Sequence, residues 1–132
     1  MFSHIMIGTS DLDRAAAFYE KVLAVLGAPA PRFNEAPTGH RRAMFVHGGN
    51  VFMLSEPING EPATCANGMT VGFACSSPEQ VKELHDVAVA NGATSVEDPP
   101  GLRGGRALGD LHLCYFRDLD GHKVCGLHRV AK

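Results

Sequence analysis

Tyr115-Phe116-Arg117-Asp118-Leu119-Asp120-Gly121-His122-Lys123-Val124-Cys125 reads as a strand, a tight acidic turn and a returning strand. Aspartate bonds its local backbone in turns and glycine supplies positive φ, so Asp118 to Gly121 is turn chemistry rather than a calcium or magnesium loop. The strands it joins run from Leu111 to Phe116 and from His122 to His128. A loop rich in Pro and Gly, 98–109, precedes them. Before that loop, Ser77-Pro78-Glu79-Gln80 is a helix start, with Ser as N-cap, Pro at the first position and Gln closing a capping box. Val81, Leu84, Val87 and Ala88 form the apolar stripe, and Asn91-Gly92 stops the helix. A strand from Met69 to Cys75 opens the block.

The N-terminal block has the same order. Phe2 to Gly8 alternates as a strand, with Ile5 and Ile7 on one side and His4 and Met6 on the other. Thr9, Ser10 and Asp11 supply cap chemistry, and Ser10 with Asp13 resembles a capping box. Leu12, Ala15, Ala16, Tyr19, Val22, Leu23 and Leu26 recur at helical spacing, and Gly27 ends the run. A Pro-rich passage and a polar stretch lead to His40. Ala43 to His47 and Val51 to Ser55 then form a hairpin across Gly48-Gly49-Asn50. The expected organisation is one domain over 1–132, with module one at about 1–56, a linker at about 57–67 and module two at about 68–132. Either half alone would bury too little, and a duplicated unit is expected to enclose a shared cavity.

Bulk properties exclude several function classes. The chain has 132 residues, 45% hydrophobic and 20% charged, with a net charge of −2. That balance carries no basic footprint for nucleic acid. No apolar run reaches the ~18–20 residues of a membrane span, and the first residues lack the pattern of a signal peptide. A cytoplasmic protein is expected. Cys65, Cys75, Cys114 and Cys125 form no C-x-x-C pair and are expected to be free thiols, mostly buried.

Three segments carry a resemblance: HIMIGTSDLDRAAAFYEKVLAVLGA, TVGFACSSPEQVKELHDVAVANGA and CYFRDLDGHKVCGL. In order and spacing they resemble the vicinal oxygen chelate superfamily, which includes glyoxalases, bleomycin-resistance proteins and extradiol dioxygenases. The resemblance implies an α+β fold of two paired βαβββ modules, forming a curled mixed sheet around a cleft with the helices outside. The family usually has Asp-Pro-Asp-Gly at the final turn; here Leu119 replaces the Pro. Metal-dependent members take ligands from the first and last strand of each module, usually His and Glu. Carried over, those positions are His4, Met53, Thr70 and Cys125. Methionine and threonine suit hard or borderline divalent ions poorly, and His4 with Cys125 is fewer donors than a zinc site uses. Glu56 is three residues from Met53 and therefore has the opposite strand parity.

The expected site is thus a cleft lined by His4, Met6, Met53, Thr70, His112 and Cys125 that takes a small organic molecule. His4 is the candidate catalytic group, as a general base or substrate contact, and His112 is expected to reach the cleft by alternation with Leu113. Cys125 is read as a small cleft residue, with a thiolate–imidazole pair to His4 as the alternative. Arg41, Arg42, Arg103 and Arg106 lie near loops, where the last two would face an anionic ligand or simply solvent. No cofactor is favoured; the alternative is a divalent metal in a glyoxalase-like lyase, isomerase or dioxygenase. A homodimer is a further expectation of the resemblance.

Overall fold

The computed structural model describes residues 1–105, 107 and 109–130; Arg106, one of the loop arginines singled out above, lies outside them. The chain divides into two compact units, Met1–Cys65 and Ala66–Lys132. Each is a βαβββ module.

In the first unit, β1 (Ile5–Gly8), α1 (Leu12–Ala24), β2 (Arg32–Glu35), β3 (Arg41–His47) and β4 (Asn50–Ser55) follow in order. The sheet order is β1-β4-β3-β2. β1 and β4 are parallel, and the remaining pairs are antiparallel. Helix α1 is capped by Asp11, whose side chain accepts from the Arg14 N–H, not by Ser10 as the sequence suggested. The Ser10 hydroxyl instead accepts the Ala63 N–H at 2.9 Å and holds the segment after β4 against the start of the helix. Tyr19 of α1 meets Phe52, ring centroids 4.9 Å apart, and Phe52 lies 6.1 Å from Phe45. Opposed residues in a ladder share a face. The helix side of this sheet therefore carries Ile5, Phe52 and Phe45, then Ile7, Leu54 and Ala43 in the next row.

The second unit contains β5 (Val71–Ala74), α2 (Pro78–Ala90), β6 (Thr94–Ser95), β7 (Gly101–Arg103), β8 (Leu111–Arg117) and β9 (Lys123–Arg129). The order is β5-β9-β8-β6, with β7 also pairing β8. β5 and β9 are parallel. The first strand after the helix is therefore split into two short pieces, β6 and β7, and part of the expected 98–109 loop is strand. Ser77 caps α2 through the Gln80 N–H, as expected, but the Gln80 side chain reaches back to the Ser76 N–H rather than to Ser77. At the final turn the Asp118 carboxylate accepts from the N–H groups of Asp120 and His122, and Gly121 has φ 90°. Among the described residues, no helix is long and apolar enough to cross a membrane.

Candidate functional site

The side of the first sheet turned away from α1 is the natural place to look for the expected site. Met6, Met53 and Met44 are directly opposed across β1, β4 and β3, with Arg32 closing the row on β2. Val51 and Val46 form the neighbouring row on one side, and Gly8, Ser55, Arg42 and Asn34 the row on the other. Met53 is buried, Met44 is half-buried and Met6 is exposed. His4 falls just before β1 and continues the alternation of Met6; its Nδ1 is 2.8 Å from the Ser3 hydroxyl.

Glu56 is the carboxylate nearest in sequence to Met53, and it belongs to the opposite face. Its Oε1 accepts the Arg41 N–H at 2.6 Å, and the Arg41 guanidinium lies 3.7 Å from Oε2. The same guanidinium donates to Asp13 on α1, which places this cluster on the helix side. The hydrogen bond to Asp13 and its charge raise the Arg41 pKa further above its ordinary value. β4 runs without a bulge through this register, so the parity argument for Glu56 agrees with the ladder.

In the second unit, the face turned away from α2 is apolar. Leu111, Leu113 and Cys125 are buried together, with Tyr115 and Leu127 packed against them. Cys125 is opposed to Tyr115 and Gly72, and its thiol donates to the Gly126 carbonyl at 3.5 Å. Thr70 is exposed, lies just before β5, and shares the parity of Gly72. His112 requires a correction. It is opposed to His128 and lies two residues from Cys114, whose thiol faces α2. His112 therefore belongs to the helix side and not to the face of Cys125. Its ring lies 6.3 Å from that of His128, and His128 Nδ1 is 3.1 Å from the Cys75 carbonyl oxygen.

The helix side of this unit also holds two inert thiols. Burial pushes Cys75 up to about 11 and Cys114 up to about 12. Burial thus favours the protonated thiol at neutral pH, the form that is a poor nucleophile. His85 of α2 is buried, with Nε2 2.7 Å from the Ser95 hydroxyl and Nδ1 3.0 Å from Asp86, and it ties the helix to β6.

A cavity of about 510 Å³ lies within the first unit and was not anticipated. It is lined by Thr9 and Ser10 just before α1, Thr38 and His40 before β3, and Glu56, Pro57, Ile58, Gly60, Glu61 and Pro62 after β4. That last stretch reads as a linker because of Pro57, Gly60 and Pro62. The one sequence signal for the cavity is Ser10, a cap-type residue whose hydroxyl accepts the Ala63 N–H of this segment while Asp11 caps the helix.

Neither unit carries, at the positions the family uses, donors that fit its divalent ion. In the first unit Met53 offers a thioether and Glu56 is engaged on the helix side. In the second, Thr70 offers a hydroxyl and Cys125 a thiol hydrogen-bonded to its own strand. Among the described residues, no group of three or more His, Cys, Asp and Glu side chains is placed to hold a metal ion.

The family model of the Glyoxalase/Bleomycin resistance protein/Dioxygenase superfamily matches residues 1–125. The chain belongs to this superfamily. A glyoxalase/bleomycin resistance protein from Albidiferax ferrireducens is similar at 42% identity and TM-score 0.88, over 98% of this chain and 99% of that one. A family enzyme from Burkholderia phytofirmans shares the fold at 16% identity and TM-score 0.69, over 97% of this chain and 98% of that one. So does the fosfomycin resistance protein FosX of Listeria monocytogenes, solved with Mn(II), at 17% identity and TM-score 0.68, over 98% of this chain and 93% of that one. No curated protein matches the chain.

Proposed function

We propose that this superfamily member binds a small organic molecule and does so without the hard divalent ion of its metal-dependent relatives. The observation that carries the reading is the fate of Glu56. The carboxylate that would complete a ligand set is held on the α1 side by Arg41, leaving Met53 at the matching position of the other face. Apolar surface with a few polar groups is what an organic ligand needs, and each sheet supplies it opposite its helix. Met6 and Met53 do so in the first unit, and Cys125 with Leu111 and Leu113 in the second. The manganese-bound FosX is described with an organic diol phosphonate; this chain keeps that protein's fold with a donor set unsuited to its metal.

The test is elemental analysis of protein purified without chelator, repeated after loading with zinc, nickel, manganese and iron(II). Metal at or below trace after loading is the expected result, followed by a thermal-shift screen of small organic compounds. Tight stoichiometric metal would overturn the reading and favour a glyoxalase-like lyase, isomerase or dioxygenase. With a ligand in hand, His4→Ala is expected to weaken binding by no more than ~1–2 kcal/mol, the scale of one polar contact. Turnover that disappears in His4→Ala would instead make His4 a general base.

A further inference from the structure

Met53, a poor ligand for a hard ion, also belongs to a second arrangement. Three of the five methionines in the chain lie in a single row across adjacent strands, Met6, Met53 and Met44. They stand on the face that α1 does not cover. Neighbouring strands are ~4.8 Å apart, so the outer two thioethers flank the middle one at a distance their flexible side chains can span. Met53 is 7% exposed at the centre and Met6 40% exposed at the edge, so the row is anchored inside and open outside. Thioethers are soft donors, and soft donors select soft monovalent ions over zinc, magnesium or manganese. His4 continues the same face beyond Met6. Its Nδ1 lies 2.8 Å from the Ser3 hydroxyl, and in the tautomer that donates Nδ1–H to Ser3 the Nε2 lone pair is a further donor.

We propose that Met6, Met44 and Met53 form a thioether site for a soft monovalent cation, Cu(I) or its redox-inert counterpart Ag(I), with His4 as an outer ligand. The row of Val51 and Val46 beside it is apolar, with Val51 half-buried and Val46 exposed. Arg32 ends the row on a strand that is exposed throughout. Thioethers carry no proton to lose, so binding here needs none of the deprotonation a thiolate site requires. The inference does not rest on organic-ligand binding, and either can fail while the other stands.

The test is a titration of Ag(I) into protein labelled at the methionine methyl carbons, followed by proton–carbon NMR. Cys65 is exposed and would compete, so the titration uses the Cys65→Ser variant. The methyl signals of Met6, Met44 and Met53 are expected to shift together and to saturate at one ion per chain, while Met1 and Met69 stay unmoved. Competition with bicinchoninate then gives the Cu(I) affinity, and Met6→Leu with Met44→Leu is expected to lower it by more than about tenfold. Met6→Leu alone, at the exposed edge, serves if the double variant does not fold. Methyl signals that do not move, or that move equally at Met1 and Met69, overturn the proposal. An affinity unchanged in a folded leucine variant does so as well.

Discussion

Gly126 shows how tightly one residue can be specified. A Cβ there would lie 2.8 Å from the Cys114 sulfur and 2.9 Å from Leu84 Cδ2, with the Cys75 sulfur at 3.5 Å. β9 must therefore lack a side chain where α2 crosses it. Gly126→Ala is expected to destabilise the protein by about 1–3 kcal/mol, the usual cost of overpacking a core, read as a lower urea midpoint. A midpoint equal to wild type would mean that Leu84 and the two sulfurs can withdraw at no cost. The thiols themselves differ by environment. Cys65 is exposed, whereas Cys75, Cys114 and Cys125 are buried. Iodoacetamide at pH 8 is expected to modify Cys65 alone in the native protein and all four in denaturant, as read by intact mass. Rapid native labelling of Cys125 would revive the thiolate–imidazole alternative.

The two helices of the repeat begin by different means. Ser77 accepts the Gln80 N–H at 3.1 Å, with Pro78 following at a position where a missing N–H costs nothing. Ser77→Ala should cost about 0.5–2 kcal/mol in a chemical melt. The corresponding change at Ser10 removes no cap, since Asp11 does that work, and should instead loosen the segment around Ala63. This contrast explains why α2 was legible in the sequence to the residue and α1 only approximately: Thr9, Ser10 and Asp11 all have cap chemistry, and composition does not rank them. β2 was not legible at all. Its four residues, Arg32 to Glu35, are exposed, so no alternation marks it. β6 and β7 were hidden because pieces of two and three residues are shorter than any periodicity. His112 was assigned to the wrong face for a related reason. β8 carries buried residues on both sides, Leu113 on one and Cys114 and Phe116 on the other, so alternation gives the period without saying which side α2 covers.

For the molecule as a whole, three sequence segments in their order and spacing carried the resemblance to the superfamily that the family model shows, whereas the site was only partly readable. Parity placed Glu56 away from Met53, but the cavity beside α1 is lined by Ser10, which accepts a long-range hydrogen bond from the Ala63 N–H that no local pattern announces. The titrating groups predict how total stability responds to pH. Cys75 and Cys114 have folded values above their ordinary 9.0. Below that value the unfolded chain holds the same protons, and stability is intact. As pH rises through 9 toward 11 the unfolded chain loses protons the native one keeps, and stability falls. Asp86 acts at the other end. Its hydrogen bonds from Lys82 and His85 lower it below 3.8, so its contribution is present above that value and is lost as pH falls further. The pair is half-exposed and the acid loss should be small. Urea midpoints between pH 3 and pH 10.5 should form a plateau that falls on the alkaline side; an alkaline limb as flat as the neutral region would contradict the burial of the two thiols.

The exposed strand β2 has a consequence for how this protein behaves in company. It ends its sheet, so one of its backbone edges has no partner within the module, and Phe33 stands 55% exposed upon it. Such an edge is a template for aggregation. Arg32 and Glu35 bracket Phe33 with opposite charges, and flanking charges of this kind act as gatekeepers against runaway strand addition. Concentrated solutions should therefore tolerate loss of Phe33 better than loss of the two charges beside it, and the residues that guard the chain's solubility lie on its surface rather than in its core.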